Sequence, residues 1–189
     1  MTNIAILASG NGSNAQRIAE YFQHHPDIHI KLVISNNPKA FVLTRAAHLG
    51  IPFQVTDRKK FYETDEILTL LQQADISLIV LAGFLWFVPG NILKAFRGRI
   101  INIHPALLPK FGGKGMYGEH VHEAVIKSGD KESGISIHHV NENYDEGDII
   151  FQARCPVLPG DTIETLAARV HQLEYRYYPE VIRKIIQTL

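Results

Sequence analysis

Short apolar runs alternate with stretches of helical periodicity over the first hundred residues of this 189-residue chain. The apolar runs at 4–8, 28–35, 77–82 and 99–104 predict strands, and a shorter run at 52–55 predicts one more. Strands that alternate with helices favour a doubly wound, mostly parallel sheet, because parallel neighbours need crossover connections. The expected fold class is therefore α/β, Rossmann-like, with helices between the strands.

Helices are predicted where apolar residues recur at helical spacing, at 14–21, 40–49, 61–74, 91–96 and 120–128. The alternation ends after His104, where the glycine-rich segment 110–119 predicts an irregular, mobile loop.

The remaining chain predicts a C-terminal part of a different kind. The runs at 135–140 and 148–157 read as strands that pair antiparallel. Asp161 followed by Glu164 predicts a capping box at the start of the last helix, and Pro179 is expected to kink or interrupt that helix.

Composition limits the classes of protein. A chain of this length fits a single domain, here 1–189. The 19 basic and 19 acidic residues balance, so neither a nucleic-acid surface nor a polybasic membrane patch is expected. The single cysteine, Cys155, excludes an intrachain disulfide framework. No apolar run approaches the ~20 residues of a spanning helix, and the N-terminus does not resemble a signal peptide. A cytoplasmic location is expected.

The run 100–109, Ile-Ile-Asn-Ile-His-Pro-Ala-Leu-Leu-Pro, is the strongest functional signal in the sequence. Asn102 and His104 are two residues apart, so their side chains leave the same face of a strand. That strand ends at Pro105, where open α/β sheets bind their ligands. An imidazole can exchange a proton near pH 7, and an amide can donate to a developing oxyanion. The alternative is a buried histidine beside a structural asparagine.

The segment 9–15, Ser-Gly-Asn-Gly-Ser-Asn-Ala, directly follows the first predicted strand and fits the pattern Gly-x-Gly-x-x-Ala. A dinucleotide site needs an acidic residue at the end of the second strand, but positions 35–37 read Ser-Asn-Asn. The pattern therefore favours a phosphate-binding turn for a smaller ligand, with a plain tight turn as the alternative.

Asp145 lies in the acidic segment 143–148 between the last two predicted strands. Its neighbours lack the spacing of an EF-hand, so the segment is either a hairpin turn or the source of a carboxylate that orients His104. The His-x-His pair at 120 and 122 and the pair at 138–139 lack further ligands of a zinc site. No metal is expected.

Four segments taken in order resemble the phosphoribosylglycinamide formyltransferase family. They are Ser-Gly-Asn-Gly-Ser-Asn at 9–14, Leu-Ala-Gly-Phe at 81–84, Asn-Ile-His-Pro-Ala-Leu-Leu-Pro at 102–109 and Asp-Glu-Gly-Asp-Ile-Ile at 145–150. The resemblance covers essentially the whole chain. It implies transfer of a formyl group from 10-formyltetrahydrofolate to the amine of glycinamide ribonucleotide (GAR) in purine biosynthesis. It also implies a phosphate-binding half at about 1–100 and a catalytic, folate-binding half at about 101–189.

The resemblance also implies a role for particular residues. The catalytic residues would be Asn102, His104 and Asp145. The GAR-binding residues would be Gly12, Ser13, Asn14 and Glu174. The folate-binding residues would be Leu85, Trp86, Phe87, Val88, Asn102, Asn141 and Asp145, with Lys59 near the folate tail. Lys110, His120 and His122 would lie in or beside the mobile loop.

The expected mechanism has Asn102 and protonated His104 donate to an oxyanion, while the charge of Asp145 raises the pKa of His104. Trp86 departs from the family pattern, which often has Arg or Lys there, and the loop after residue 110 is longer than usual. Other formyltransferases that act on an amino-sugar nucleotide or methionyl-tRNA, a formyltetrahydrofolate hydrolase, and a non-catalytic folate- or nucleotide-binding module are the alternatives. A monomer or a homodimer is expected.

Overall fold

The computed structural model describes residues 1–189. The strands are β1 (Thr2–Leu7), β2 (Ile28–Ser35), β3 (Phe53–Val55), β4 (Leu78–Leu81), β5 (Ile100–His104), β6 (Glu132–His139) and β7 (Ile149–Pro156). The helices are α1 (Ser13–Phe22), α2 (Phe41–His48), α3 (Arg58–Tyr62), α4 (Glu66–Gln73), α5 (Gly90–Ala95), α6 (Glu119–Ser128) and α7 (Ile163–Ile186). None of these helices is long and apolar enough to span a membrane.

The chain forms two compact units, Met1–Ile101 and Asn102–Leu189, so that β5 contains the boundary between them. In the first unit β1 lies between β2 and β4 and is parallel to both, and β3 extends the sheet beyond β2. β1 and β4 are apolar and buried from Ile4 to Leu7 and from Leu78 to Leu81. Burying one Val, Leu or Ile side chain contributes roughly 1.5–3 kcal/mol, so these two strands form the core of the unit.

In the second unit β6 and β7 are antiparallel, with Glu132 opposite Pro156 and His138 opposite Ile149. The strands approach each other closely at Gly134, where a Cβ atom would lie 1.9 Å from the carbonyl oxygen of Ala153. Helix α7 packs against α6, β6 and β7. The predicted α/β class, with parallel strands first and an antiparallel pair near the C-terminus, is confirmed.

A buried hydroxyl fixes the segment that follows β5. Ser136 Oγ donates to the carbonyl of Ala106 at 2.7 Å and accepts from the backbone N–H of Leu108 at 2.9 Å. The side-chain amide of Gln152 donates to the same hydroxyl at 2.8 Å and to the Leu108 carbonyl at 3.0 Å. Because Ser136 is fully buried, these bonds hold the chain directly after His104 in one conformation.

The predicted helix at 61–74 was wrong in its extent, because the structure has two helices, α3 and α4, around a break at 63–65. The carboxylate of Asp57 caps α3 by accepting from the N–H of Lys60 at 2.8 Å. Thr64 Oγ donates to the Lys60 carbonyl at 3.0 Å and accepts from the N–H of Glu66 at 3.2 Å. The two bonds of Thr64 compete with helical hydrogen bonds and end α3.

The start and the course of the last helix also differ from the prediction. Thr162 and Thr165 form the capping box of α7, whereas Asp161 makes two bonds of 2.7 and 2.9 Å to Arg169. α7 continues through Pro179 to Ile186, so the proline does not interrupt it. Pro179 is buried with its helical neighbours, and this packing outweighs the missing backbone hydrogen bond.

Candidate active site

Asn102 and His104 lie at the end of β5, as predicted. The isoleucines that alternate with them are buried, and Pro105 ends the strand. Only 3% of His104 is exposed, whereas Asn102 is half-buried. The imidazole of His104 is therefore buried. The residues that follow it are fixed by the hydrogen bonds of Ser136 and have little freedom to move.

The carboxylate of Asp145 lies among four nitrogen atoms of the second unit. Its Oδ2 accepts from the N–H of Gly113 at 3.0 Å and lies 3.6 Å from His104 Nδ1. Its Oδ1 lies 3.5 Å from both Asn102 Nδ2 and His138 Nε2. The three residues that the sequence singled out, Asn102, His104 and Asp145, thus meet within 3.6 Å.

The electrostatic balance at Asp145 favours the ionised form. Burial by itself raises the pKa of this carboxyl. Interactions with His138 and His104 and the N–H of Gly113 lower it, and the net pKa lies below the ordinary aspartate value. Asp145 is therefore a carboxylate at neutral pH.

The conformation of Asp145 depends on a close contact in its own turn. Asp145 has a φ of 56°, a left-handed conformation that aspartate and asparagine tolerate better than other non-glycine residues. A Cβ atom at Gly147 would lie 1.7 Å from the carbonyl oxygen of His139, so only glycine lets the turn approach the end of β6 this closely. That approach holds Asp145 beside His138.

His104 contacts an acceptor at each of its ring nitrogens. Nε2 lies 2.7 Å from the carbonyl oxygen of Phe111, and because a carbonyl can only accept, Nε2 carries a proton. Phe111 has a φ of 57°, so two of the three non-glycine residues with positive φ, Phe111 and Asp145, contact this one side chain. Strained backbone of this kind is concentrated at functional sites.

The protonation of His104 departs from the expectation of a raised pKa. Burial is the largest effect and lowers the pKa, and the nearby His138 lowers it further. Asp145 and the Phe111 carbonyl raise it, as expected, but the net pKa lies below the ordinary histidine value. The resting imidazole is therefore neutral at pH 7, with its proton on Nε2 and Nδ1 towards Asp145.

His138 is a member of this group that the sequence analysis considered only as a metal ligand. Its Nδ1 lies 2.8 Å from the His139 carbonyl, so it carries the proton, and Nε2 lies 3.2 Å from Asn102 Nδ2. In the neutral ring Nε2 accepts from the Asn102 amide and orients it. The available signal was the alternation of β6, which places Ser136 and His138 on one face.

His122 is buried near the same group, with 2% of its surface exposed and no partner for Nδ1. Burial, followed by the charges of His171 and His104, lowers the pKa of His122 to about 4. No group of three or more His, Cys, Asp or Glu side chains has an arrangement that could hold a metal ion.

This histidine predicts acid sensitivity of the fold. The unfolded chain binds a proton at His122 below its ordinary pKa of 6.5, whereas the folded chain does so only near 4. The contribution of His122 to the free energy of unfolding is therefore complete above pH 6.5. It falls by about 2 kcal/mol as the pH drops towards 4. Urea unfolding at pH 7 and at pH 4.5 should show a smaller pH effect for His122→Gln than for the parent chain, while His48→Gln on the exposed end of α2 should change nothing. An unchanged pH effect in His122→Gln would contradict this assignment.

Two other predicted residues have structural contacts in the second unit. The side-chain oxygen of Asn141 accepts from the N–H of Asn143 at 2.9 Å and shapes the loop before Asp145. Glu174 lies on α7 with 7% of its surface exposed. Its charge, after burial, contributes to the raised pKa of Tyr178 one turn further along the helix.

In the first unit the predicted phosphate turn connects β1 to α1. Gly12 precedes α1 with a φ of 76°, and no side chain caps the helix. A Cβ atom on Gly12 would lie 2.4 Å from Cγ2 and 2.8 Å from Cα of Val42 in α2. The turn therefore packs directly on the backbone of α2.

Gly12→Ala is expected to destabilise the chain by more than about 2 kcal/mol, because it adds left-handed strain and a clash with α2. Gly10→Ala in the same turn is the matched control, since a Cβ atom there meets nothing within 4 Å. Urea unfolding of both variants checks this. Equal stability of the two variants would contradict the close packing at Gly12.

The predicted folate segment, 85–88, is irregular backbone between β4 and α5. The N–H of Leu85 donates to Ser9 Oγ at 2.9 Å, and the Phe87 carbonyl accepts from the Tyr62 hydroxyl at 3.0 Å. Trp86 packs with three rings, those of Phe61, Tyr62 and Phe84, and lies under the guanidinium of Arg58 at 5.2 Å. Val88 is buried, Leu85 is half-exposed and Lys59 is exposed on α3.

Known proteins resemble the whole chain. Residues 2–182 match a family model described as formyl transferase. A phosphoribosylglycinamide formyltransferase of Haemophilus influenzae is 41% identical over 97% of this chain and 86% of its own length. A chloroplastic protein of the same name from Arabidopsis thaliana is 39% identical over 97% of this chain, which spans 65% of that relative. The crystal structure of the Anaplasma phagocytophilum phosphoribosylglycinamide formyltransferase superposes with a TM-score of 0.90 at 38% identity, covering 99% of this chain and 88% of that one.

Proposed function

The chain belongs to the formyl transferase family, and we propose that it transfers the formyl group of 10-formyltetrahydrofolate to the amine of GAR in purine biosynthesis. The observation that carries the proposal is the group around Asp145, where an ionised carboxylate lies within 3.6 Å of His104 and within 3.5 Å of Asn102. The agreement of the relatives' names over nearly the whole chain supports GAR as the acceptor.

The reaction needs one bond to form and one to break. The GAR amine attacks the formyl carbon as the free base, and the carbonyl electrons move to oxygen. When the tetrahedral intermediate collapses, the bond from carbon to N10 of the folate breaks, the amine nitrogen loses a proton and N10 gains one. No covalent bond to the protein is required, so neither Cys155 nor a serine acts as nucleophile.

Asn102 and His104 are the donors to the developing oxyanion in this proposal. The N–H on His104 Nε2 already donates to a carbonyl oxygen, that of Phe111, at 2.7 Å. The formyl oxygen is an acceptor of the same kind, so the Phe111 carbonyl must leave Nε2 before substrate can take its place. The Asn102 amide, held through His138, supplies an uncharged donor.

Asp145 acts on the charge of His104 during the reaction. A neutral imidazole donates from Nε2 at the start. The attacking amine nitrogen becomes positively charged and gives up a proton, which the imidazole takes up and passes to N10 of the folate when the intermediate collapses. The carboxylate near Nδ1 stabilises the imidazolium that then forms, because an opposite charge nearby favours the charged state. Asp145 is therefore needed in the transition state more than in the resting state.

The turn at Gly12, Ser13 and Asn14 binds the GAR phosphate in this proposal. The uncapped start of α1 supports it, since backbone N–H groups and the helix dipole both favour an anion there. Glu174, a buried acid on α7, is proposed to bind the glycinamide end of GAR through the positive or hydrogen-donating groups of that end.

The folate co-substrate is assigned to 85–88, Asn102, Asn141 and Asp145, with Lys59 near the tail. Irregular backbone can present peptide groups to a flat heterocycle, which supports 85–88, although the Leu85 N–H is already bound to Ser9. The aromatic packing and the Arg58 contact of Trp86 support an ordered wall in this segment.

The experiment that tests the function is release of tetrahydrofolate from 10-formyltetrahydrofolate by the purified chain, with and without GAR. The proposal predicts release that depends on GAR. Release without any acceptor would favour a hydrolase, release only with an amino-sugar nucleotide would favour that acceptor, and no release at all would favour a binding module. The cytoplasmic location and the monomeric or homodimeric state stay predictions.

A further inference from the structure

One arginine of the first unit is bonded to the proposed phosphate turn at several points. Arg45 Nε donates to the carbonyl oxygen of Asn11 at 2.9 Å, and Nη2 donates to the side-chain oxygen of the same residue at 2.8 Å. Its Nη1 donates to the side-chain oxygen of Gln16 in the second turn of α1. One planar group therefore fixes both the residue before Gly12 and the helix that follows it.

The partners of Arg45 are themselves held in place. The Gln16 amide donates to Glu20 at 2.6 Å, which orients its oxygen towards Arg45. The guanidinium also lies over the ring of Phe41, 4.8 Å from its centroid. Three of the five N–H groups of the guanidinium and one of its faces are engaged by Asn11, Gln16 and Phe41. The guanidinium is therefore a brace, and its charge stays close to the start of α1.

Helix α2 supports the turn at two further points. The N–H of Val42 donates to the Gly10 carbonyl at 3.1 Å, and the Val42 side chain fills the space against Gly12. Arg45 lies one helical turn after Val42, so both residues face the turn. Three consecutive residues of the turn, 10–12, are thus held by the same face of α2.

We infer that Arg45 is a positioning residue for phosphate binding: it holds the turn in the shape that binds the anion and does not itself bind the phosphate. The inference rests on the proposed function, which assigns the GAR phosphate to this turn. Arginine suits this role because its fixed fork matches the two oxygens of Asn11, whereas a lysine ammonium is a single point charge.

The test measures kcat and KM of Arg45→Gln and Arg45→Lys with GAR and with its phosphate-free riboside as acceptors. Removing a brace made of charged hydrogen bonds should raise the KM for GAR about tenfold, with kcat changed less than about twofold. Both substitutions should act alike, since lysine restores the charge but not the fork. The KM for the riboside should not change. Arg97→Gln, at an exposed position just after α5, is the matched control and should behave as the parent chain.

Several results would overturn the inference. A parental KM in Arg45→Lys would mean that charge, and not the fork, matters. An equal rise of KM for GAR and for the riboside would mean a general structural effect. If the parent chain prefers GAR over the riboside and the Arg45 variants keep that preference in full, only the role of Arg45 fails. If the parent chain treats both acceptors alike, the phosphate assignment fails and the role of Arg45 fails with it.

Discussion

Replacing His104 with alanine is expected to lower kcat for formyl transfer by about 10²- to 10³-fold, the usual cost of removing one oxyanion donor. The reason is geometric, since Nε2 is the buried N–H that already donates to a carbonyl oxygen at 2.7 Å. The KM values for both substrates should change little, because this bond strengthens mainly in the transition state. Steady-state kinetics of the folded variant measures both quantities.

The control for this variant is His48→Ala, on the exposed end of α2 outside the group around Asp145. It should keep the parental kcat. A parental kcat in His104→Ala would remove the assignment of the active site, whereas a large rise in KM with an unchanged kcat would show that His104 only binds substrate.

Replacing Asp145 with asparagine should lower kcat by about 10²-fold or more, because the imidazolium that forms at His104 loses its opposing charge. Asparagine is the informative substitution here. It keeps the shape of the side chain and tolerates the φ of 56°, so the change isolates the charge. Alanine would add backbone strain to the loss of charge.

The matched control is Asp148→Asn, an exposed acid in the same turn. Its kcat should equal that of the parent chain. A near-parental kcat in Asp145→Asn would show that the coupling between Asp145 and His104 plays no part in the reaction.

Much of the fold follows from local patterns. The apolar runs in β1 and β4 predicted buried parallel strands because each run is apolar on both faces. Gly12 was recognisable from its place between a strand and a helix. The break between α3 and α4 was not, because Asp57 begins α3 and Thr64 ends it through side-chain bonds that the apolar periodicity does not register.

The active site was predictable in part. Asn102 and His104 were marked by their spacing on one strand, but the link to Asp145 came only from the resemblance to a family. His138 was missed because its role depends on the distance of its Nε2 from Asn102 and Asp145, which only the folded chain defines. The carbonyl of Phe111 was missed because a backbone atom leaves no signal in the side-chain pattern.

The charge of His104 could not be read from the sequence either. The resemblance suggested a carboxylate partner and hence a raised pKa, but the direction of the net pKa shift depends on how completely the ring is buried. Burial outweighs the carboxylate in the resting protein. The neutral ring with a proton on Nε2 is a consequence of the fold.

A single turnover with excess protein, GAR and 10-formyltetrahydrofolate that carries ¹³C in its formyl group follows the carbon that this chain transfers to the amine of GAR. Mass spectrometry should find the label on GAR, in an amount equal to the tetrahydrofolate released, and Asp145→Asn should slow its appearance. Label recovered as free formate, or GAR left unlabelled while tetrahydrofolate is released, would contradict the account.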